Sequence, residues 1–530
     1  MIETSGVLAP ARASRSLRLL VGAEAALVAL AATGVTLLLA RQFRAPGSEM
    51  DEGAVLAYSD RIFHGAVPWR DFQTFYGPGN LWLVGLVSKV FGPGVTTERM
   101  VGLCYRLAVV LGIYVIARSF GRPAGLAAVA LCAFLVPGQG VAALALWGSL
   151  AFAVLALAAL VAACGRSRGL ARDCLLVTAG AVSGAAILVR FDAVLAVALP
   201  AVVLLSLVSW RDRRRFLIAF AIVSAAYVPQ LWLTGRGDLA RLADQLRHTE
   251  PGRRLPFPSP QTFPGMILVP AIVVTVLLIV VGALLARRQR GELLPRVMLA
   301  SGLFSLALLP TALSRMDGPH IVPFGVVPIA LLPALVITLV QPLRGDCRLP
   351  IVPFAGTVAA LALCAGSVLI VLGAGPPGLK AVVTPEPLTS SRVTFGGRWF
   401  PVATRSEAEA SQAMVADAAR LARPGQTLFV GPADLRRTNY NDTYLYYLLP
   451  QLRPASFYME MNPQTANLPG SGLAAELRHA DLLILNRRWD SWPERNSSSK
   501  LGSPVPNRIV ANDFCTVATS GDERLLRRCR

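Results

Sequence analysis

The sequence is 530 residues long, and 54% of its residues are hydrophobic while only 15% are charged. Its mean hydropathy of +0.54 excludes an ordinary soluble domain, in which about a quarter of the residues are charged. The net charge of +20 does not indicate a nucleic-acid partner, because the arginines form short clusters between apolar runs, as they do at the cytoplasmic ends of membrane helices. The composition predicts a polytopic α-helical membrane protein in contact with a lipid bilayer.

Twelve apolar segments follow one another along the first two thirds of the chain. They cover residues 17–40, 81–91, 100–116, 124–136, 141–163, 175–189, 193–208, 216–233, 266–286, 297–313, 321–340 and 351–372. The first is long enough to cross a hydrocarbon core of about 30 Å and longer than the apolar part of a cleaved signal, about 7–15 residues. It is therefore predicted to be a retained anchor, preceded by a cytoplasmic N-terminus over residues 1–16.

The arginine clusters fix the expected topology. If all of them are cytoplasmic, segment 81–91 does not cross completely, and about eleven spans remain in a module of residues 17–372. A topology in which all twelve segments cross would leave several arginine clusters outside. The preferred topology places a first outer loop at residues 41–80 on the face opposite the arginines.

The composition changes at about residue 373 to that of a soluble domain. A helix is predicted at 404–423, buried strands at 427–430 and 481–485, and part of a connecting helix at 474–479, which indicates an α/β domain over residues 373–530. The last apolar segment delivers this domain to the outer, extracytoplasmic face. There, an oxidising compartment would permit a disulfide between Cys515 and Cys529, whereas the absence of any CxxC pair argues against a structural zinc site.

The first outer loop carries most of the candidate chemistry. It contains the adjacent carboxylates Asp51 and Glu52, which can serve as a general base, bind a divalent metal or cap the next helix. The functional alternatives gain weight from the polar residues that follow within the same loop: Asp60, Arg61, His64, Arg70, Asp71 and Tyr76. Polar groups in this number beside a membrane span are costly unless they line a site.

Two further polar positions interrupt later apolar segments on the same predicted face. Arg190 and Asp192 form one, and the turn that carries Arg315, Asp317 and His320 forms the other. Arg190 can hold a phosphate through charge-assisted hydrogen bonds, although an Arg/Asp pair that only ends two helices is the plain alternative. Inside the apolar segments, Glu24, Lys89 and Arg106 are exceptions; snorkelling to the membrane surface explains Glu24 and Lys89.

The stretch DEG…YSDRIFHGAVPWRDFQTFYGPGNLW resembles the first outer loop of the GT-C superfamily of integral-membrane glycosyltransferases, which includes protein O-mannosyltransferases and lipid A aminoarabinose transferases. The resemblance implies a donor sugar linked to polyprenyl phosphate. Asp51 matches the acidic catalytic residue of the family, and Arg190 matches its lipid-phosphate-binding residue. The lysine-proline-proline motif that the family often carries is replaced here by Tyr76-Gly77-Pro78-Gly79, so Arg61 or Arg70 is expected to supply that cation.

A glycosyltransferase of this kind needs one base and several cations. The phosphate leaves as an anion, so cations rather than a general acid assist it, while the acceptor hydroxyl needs a carboxylate. Asp51 is the predicted base, with Glu52 beside it, and transfer is expected to invert the sugar. Arg190, Arg61 and Arg70 are predicted to bind the donor phosphate, and the rest of the site to bind substrate: Asp71, Tyr76, Asp192, Arg315, Asp317 and His320.

Several alternatives stay open at this stage. A transporter or flippase of a lipid-linked saccharide is the second hypothesis, although few polar residues lie at mid-depth in the segments, and a non-catalytic assembly protein is the third. The acceptor can be a saccharide, a lipid or a protein, and no metal ligands are assigned although a divalent metal stays open. The alanine-, arginine- and leucine-rich composition fits a multi-pass protein of a bacterial inner membrane.

Overall fold

The computed structural model describes residues 32–243, 254–340, 391–438, 440–461, 465–491, 500 and 502–529, together with positions 26, 29 and 30. The predicted N-terminal tail, the last apolar segment at 351–372 and the predicted domain boundary at 373 lie outside these residues. The first apolar segment is described only in part, and residues 32–41 of the chain are helical.

Eight helices in the described part of the chain are long and apolar enough to cross a membrane. They are Val95–Arg118, Arg122–Gln139, Ala145–Cys164, Leu170–Val189, Trp210–Thr234, Phe263–Arg288, Leu293–Ser314 and Gly318–Val340. Seven of them contain a whole apolar segment found in the sequence, and Ala145–Cys164 contains the segment 141–163 from residue 145 onward. The prediction of a polytopic helical membrane protein is confirmed.

Two shorter apolar helices complete this part of the fold. The first, Gly79–Phe91, is called the short helix below; its 13 residues span about 20 Å, well short of a hydrocarbon core, and Gly92 ends it at a φ of +89°. The second, Val194–Leu205, has only 12 residues, so the full span expected at 193–208 was too long a prediction. The apolar run continues for three residues beyond the end of this helix at Leu205. The polar Arg190/Asp192 pair ends the preceding helix and leaves a 3₁₀ turn at Phe191–Ala193.

Glycines bring some membrane helices into close contact. A Cβ atom on Gly180 would lie 2.2 Å from the backbone oxygen of Phe216 on a neighbouring helix, and a Cβ atom on Gly282 would lie 2.5 Å from the backbone nitrogen of Leu299. In a membrane, no hydrophobic driving force brings helices together, so their association depends on close packing. Small residues such as glycine allow the helix backbones to approach closely enough for this packing. Larger side chains at these two positions would separate the helix pairs.

The C-terminal domain contains a five-stranded mixed sheet and a separate hairpin. The hairpin consists of antiparallel strands β1 and β2, and the sheet has the order β4-β3-β5-β7-β6, with β3 parallel to β4 and β5 and with β7 antiparallel to its neighbours. The strands are β1 Ser391–Phe395, β2 Arg398–Val402, β3 Thr427–Pro432, β4 Arg453–Pro454, β5 Leu482–Asn486, β6 Phe514–Ser520 and β7 Glu523–Arg528.

The secondary structure predicted for this domain is confirmed. The helices are Arg405–Leu421, Tyr444–Leu448, Leu473–Arg478 and Val505–Asp513, and the two predicted strands correspond to β3 and β5. Both strands are apolar and almost fully buried, as expected of parallel neighbours covered on two faces. A disulfide joins Cys515 on β6 to Cys529, which follows β7, so the disulfide that the sequence left open is present.

The loop 41–80, which the sequence predicts to face outward, lies between the membrane helices and the C-terminal domain. Its helix, Asp51–Phe63, is called the loop helix below and packs against Tyr444–Leu448 so closely that a Cβ atom on Gly53 would lie 2.4 Å from the backbone nitrogen of Tyr444. Backbone hydrogen bonds join loop and domain on both sides, from Gly47 to Pro401 and from Gln73 to Phe457. The domain therefore holds the loop in place.

A cluster of buried carboxylates lies at this contact. Four acidic side chains surround the single guanidinium of Arg488, which forms ion pairs with three of them. The four are Glu49 of the loop and Glu407, Asp442 and Glu523 of the domain. Burial raises the pKa of Glu49 to about 7, and burial together with the charge of Asp442 raises the pKa of Glu523 to about 8.

These raised pKa values predict a stability that falls with rising pH. Between the unfolded pKa of about 4.5 and the folded pKa values, the folded protein holds more protons than the unfolded protein, so raising the pH favours unfolding. The melting temperature of the purified protein is expected to fall as the pH rises from about 5 to about 8. Glu523→Gln is expected to flatten this slope, and a melting temperature that rises through the same window would contradict the prediction.

Candidate active site

A cavity with about 850 Å³ of empty space, partly open to solvent, lies where the loop, the membrane helices and the C-terminal domain meet. The start of the loop helix and the segment 74–81 form one side, and the first turns of Ala145–Cys164 and Gly318–Ala330 form another. Its polar lining consists of Asp51, Tyr58, Thr74, Tyr76, Asn80, Trp147, His320 and Glu460. Of the predicted site residues, the cavity brings together Asp51, Tyr76 and His320.

Asp51 lies in the first turn of the loop helix with its side chain exposed to the cavity. Ser48 Oγ donates a hydrogen bond of 3.0 Å to Asp51 Oδ2, and the backbone nitrogen of Asp51 donates one of 3.2 Å to Ser48 Oγ. This exchange stabilises the start of the helix. No described group donates to Oδ1, so this oxygen is available to accept a proton or a hydrogen bond from a bound molecule.

Glu52 has a different environment from its neighbour. Glu52 follows Asp51 directly, and successive side chains of an α-helix differ in direction by about 100°. The side chain of Glu52 therefore points away from the cavity. It is 1% exposed and forms a two-pronged ion pair with Arg99, with nitrogen–oxygen distances of 2.6 and 2.9 Å. Arg99 also donates to the backbone oxygens of Phe43 and Ala45, so the pair ties both ends of the segment 43–52 to a membrane helix.

A second cavity of about 360 Å³ adjoins the first, because Leu146 and His320 line both. Arg190 and Asp192 lie in it, and Arg190 Nε donates to Asp192 Oδ1 at 2.9 Å while Nη2 donates to Oδ2. The guanidinium of Arg190 also lies 5.2 Å from the ring centroid of Tyr76, which lines the first cavity. Arg190, Asp192 and Tyr76 thus lie together, as the sequence predicted for a common site.

His320 is held at the junction of the two cavities by the turn that precedes its helix. Asp317 caps this helix by accepting a hydrogen bond from the backbone nitrogen of His320, and it also accepts one of 2.6 Å from His320 Nδ1 and one of 2.7 Å from Arg315 Nε. Burial favours the neutral acid, but these hydrogen bonds and charges outweigh it and lower the pKa of Asp317. Arg315 and Asp317 therefore orient His320 without lining either cavity.

Three other predicted site residues lie apart from both cavities. Arg70 and Asp71 are exposed and pair with each other at 2.8 Å, and this hydrogen bond lowers the pKa of Asp71. Arg61 lies between the loop helix and the domain, where burial lowers its pKa and its Nε has no hydrogen-bond partner among the described residues. Neither cavity receives a cation from this part of the loop.

Sequence reasoning missed several polar residues of the first cavity, among them Asn80 and Glu460. Asn80 donates to the backbone oxygen of Ala143 at 2.8 Å and accepts from the hydroxyl of Tyr105 at 2.9 Å, which fixes the start of the short helix. Glu460 comes from the C-terminal domain and adds a second carboxylate to the lining. Asn80 carried a weak signal as the last residue of the polar loop, whereas no local pattern marks Glu460.

The described residues contain no group of three or more histidine, cysteine or acidic side chains arranged to hold a metal ion. The first cavity contains two acidic residues, Asp51 and Glu460, and one histidine, His320. No metal site is assigned to them.

Comparison with solved structures identifies the fold of the chain. The chain matches the crystal structure of ArnT from Cupriavidus metallidurans in the apo state with a TM-score of 0.52 and 14% identity over 96% of this chain and 98% of that one. The same protein bound to undecaprenyl phosphate matches with a TM-score of 0.50 and 16% identity over 95% and 98% of the two chains. The chain has the fold of ArnT.

The resemblance to GT-C membrane proteins that the first outer loop suggested is thereby confirmed at the level of the fold. The mycobacterial arabinofuranosyltransferase AftD is also similar, with a TM-score of 0.49 and 15% identity over 95% of this chain and 40% of that longer one. No protein-family model and no curated sequence matches the chain.

Proposed function

We propose that this protein is a membrane glycosyltransferase that moves a sugar from a polyprenyl-phosphate donor to an acceptor hydroxyl at the outer face of the membrane. The observation that carries the proposal is the pair of adjoining cavities that share His320, of which one contains the exposed carboxylate of Asp51 and the other the partly buried guanidinium of Arg190. The fold shared with ArnT, a protein solved in complex with undecaprenyl phosphate, supports a lipid-phosphate donor.

The two side chains suit the two ends of such a reaction. Asp51 Oδ1 takes the proton of the acceptor hydroxyl as that oxygen attacks the sugar carbon, and the bond from this carbon to the phosphate oxygen breaks. Arg190 stabilises the phosphate anion that leaves, so no general acid is required. Attack on the face opposite the phosphate inverts the configuration. Within the described residues, Arg190 Nη1 makes no hydrogen bond and remains available for a phosphate oxygen.

An apolar groove beside Arg190 suits the prenyl chain of the donor. The groove holds about 960 Å³ of empty space, much of it open, between the helices Leu170–Val189, Val194–Leu205 and Trp210–Ser224. Ile187 and Val194 line it and flank Arg190 in the sequence. A lipid tail in this groove would bring its phosphate to the second cavity.

The helix ends support an outer location for both cavities. Helix Ala145–Cys164 begins at the first cavity and ends before Arg166, and helix Leu170–Val189 begins beside Arg172 and ends at Arg190 in the second cavity. The arginine clusters thus lie at the opposite ends of these helices from the cavities, and such clusters face the cytoplasm. We accordingly place the N-terminus in the cytoplasm and the C-terminal domain outside. The alanine-, arginine- and leucine-rich composition supports a bacterial inner membrane.

The test is sugar transfer in membranes that contain the full-length protein and a radiolabelled polyprenyl-phospho-sugar pool, compared with membranes that lack it. Label in a new saccharide, lipid or protein product supports the proposal and identifies the acceptor class. Label that crosses the bilayer without forming a product supports a flippase instead. If neither transfer nor movement depends on the protein, a non-catalytic role becomes the better hypothesis.

Arg190→Gln is expected to weaken the use of donor by about 10- to 100-fold in kcat/KM, because a hydrogen bond to a charged group contributes about 1.5–3 kcal/mol. The measurement is transfer at varied donor concentration. Arg70→Gln removes the same charge from an exposed position outside both cavities and serves as the matched comparison. Equal losses in the two variants would contradict a phosphate-binding role for Arg190.

A further inference from the structure

The loop helix has a second face that lines a separate cavity. Asp51, Ala54, Val55 and Tyr58 recur at helical spacing and face the candidate active site, whereas residues 56, 59, 60 and 63 recur at the same spacing on another face. This other face bounds a cavity with about 700 Å³ of empty space, partly open, called the side cavity here. It is lined by Leu56, Ser59, Asp60, Phe63, Val84, Gly85, Ser88, Lys89, Pro93, Gly94 and Tyr447.

Two buried hydroxyl groups in the side cavity have no hydrogen-bond partner among the described residues. Ser59 is 3% exposed and Tyr447 is 1% exposed, and both Ser59 Oγ and the Tyr447 hydroxyl are unsatisfied. A buried polar group without a partner is destabilising, and such groups normally bind protein, water or a ligand. These two hydroxyls are therefore free to donate hydrogen bonds to a molecule bound in the side cavity.

The charges of the side cavity favour an anion. The carboxylate of Asp60 is neutralised by Arg398, which donates to both of its oxygens at 3.1 Å. The ammonium of Lys89 lies 6.0 Å from the ring centroid of Phe63 and forms no ion pair within the described part of the chain. The net charge offered to an occupant is therefore positive and comes from Lys89.

The position of the side cavity at the membrane identifies the kind of anion. Lys89 lies near the end of the short helix, whose side chains Leu86, Val90 and Phe91 are 57%, 70% and 78% exposed. Large apolar side chains exposed on a helix too short to cross the membrane fit one that lies in the lipid interface. Leu56, Phe63 and Val84 contribute apolar surface to the side cavity beside its hydroxyl groups.

We infer that the side cavity binds the headgroup of an anionic phospholipid from the outer leaflet. The phosphate oxygens accept hydrogen bonds from Ser59 Oγ, the Tyr447 hydroxyl and Lys89 Nζ, while the acyl chains lie against the exposed apolar residues of the short helix. This site goes beyond the proposed function, because the loop helix separates it from the cavity that contains Asp51. The bound lipid links the loop helix, the short helix and the C-terminal domain.

The first test uses the full-length protein purified in a neutral detergent and stripped of lipid. Phosphatidylglycerol is expected to raise the melting temperature more than phosphatidylcholine does. Lys89→Gln is expected to weaken the apparent affinity for phosphatidylglycerol about 10-fold, equivalent to about 1.4 kcal/mol. Arg420→Gln removes one positive charge from a position that is 70% exposed on the C-terminal domain, and it is expected to leave this affinity unchanged.

The second test removes both hydroxyls with Ser59→Ala/Tyr447→Phe. This double variant is expected to melt no lower than the wild type without lipid, since it loses only unsatisfied groups, and to gain less from phosphatidylglycerol. Equal protection of all variants by phosphatidylglycerol would overturn the inference. Equal protection of the wild type by inorganic phosphate alone would show a free-anion site and overturn the lipid assignment. None of these readouts depends on sugar transfer, so the proposed function can fail without affecting them.

Discussion

Asp51→Asn is expected to reduce sugar transfer by about 10²- to 10⁴-fold, the range that removal of a general base produces. The amide cannot accept the proton of the acceptor hydroxyl, yet its oxygen can still accept the hydrogen bond from Ser48 that stabilises the start of the loop helix. Because Arg190 is unchanged, binding of the donor is expected to survive. The measurement is initial transfer rate at saturating donor, with donor binding determined on the same preparations.

Asp417→Asn is the matched control for this variant. Asp417 lies on the helix Arg405–Leu421 and pairs with Arg420 at the surface, where such a pair contributes little to stability. Both variants make the same chemical change, and only Asp51→Asn is expected to lose activity. A transfer rate within about twofold of wild type in Asp51→Asn would exclude Asp51 as the base.

Glu52→Gln is expected to lower the stability of the folded protein by about 3–5 kcal/mol, the largest structural effect foreseen for the loop. The substitution removes the carboxylate that forms the ion pair with Arg99, whose side chain is 3% exposed, and leaves only the neighbouring Glu98 to interact with its charge. It also loosens the segment 43–52, because Arg99 binds the backbone of Phe43 and Ala45 as well. Thermal unfolding in detergent, followed at a fixed protein concentration, measures the loss.

A second variant separates this structural role from a catalytic one. Glu52→Met/Arg99→Met replaces both charges by apolar side chains, and such replacements of buried ion pairs are often neutral or stabilising. Recovery of the melting temperature and of transfer in the double variant is expected if Glu52 only anchors the loop. Recovery of stability without any transfer would instead assign Glu52 a part in the chemistry.

The membrane helices were predictable because each carries a long apolar segment, a signal that does not depend on neighbours. The buried strands β3 and β5 were predictable for a similar reason, since both are short continuous apolar runs. The length of helix Val194–Leu205 was not predictable, because the apolar side chains continue beyond the last residue of the helix.

The site was predictable only in outline. Asp51 and Glu52 are adjacent and chemically alike, and only the phase of the helix puts one in a cavity and the other against Arg99. Arg190 was recognisable as an interruption of an apolar run, whereas Arg61 and Arg70 looked equally suitable and lie elsewhere. Glu460 reaches the cavity through tertiary contacts across the whole chain, and no local spacing records such contacts.

The packing of Gly53 against the backbone of Tyr444 limits how this protein can be recombined with similar ones. A chimera that takes its C-terminal domain from another chain would set a different surface against Gly53, where no space is left for a larger side chain. It would also lose the ion pair between Arg488 and Glu49. The loop 41–80 and the domain must therefore be exchanged together. In evolution, the same constraint ties substitutions in these two distant stretches of sequence to one another.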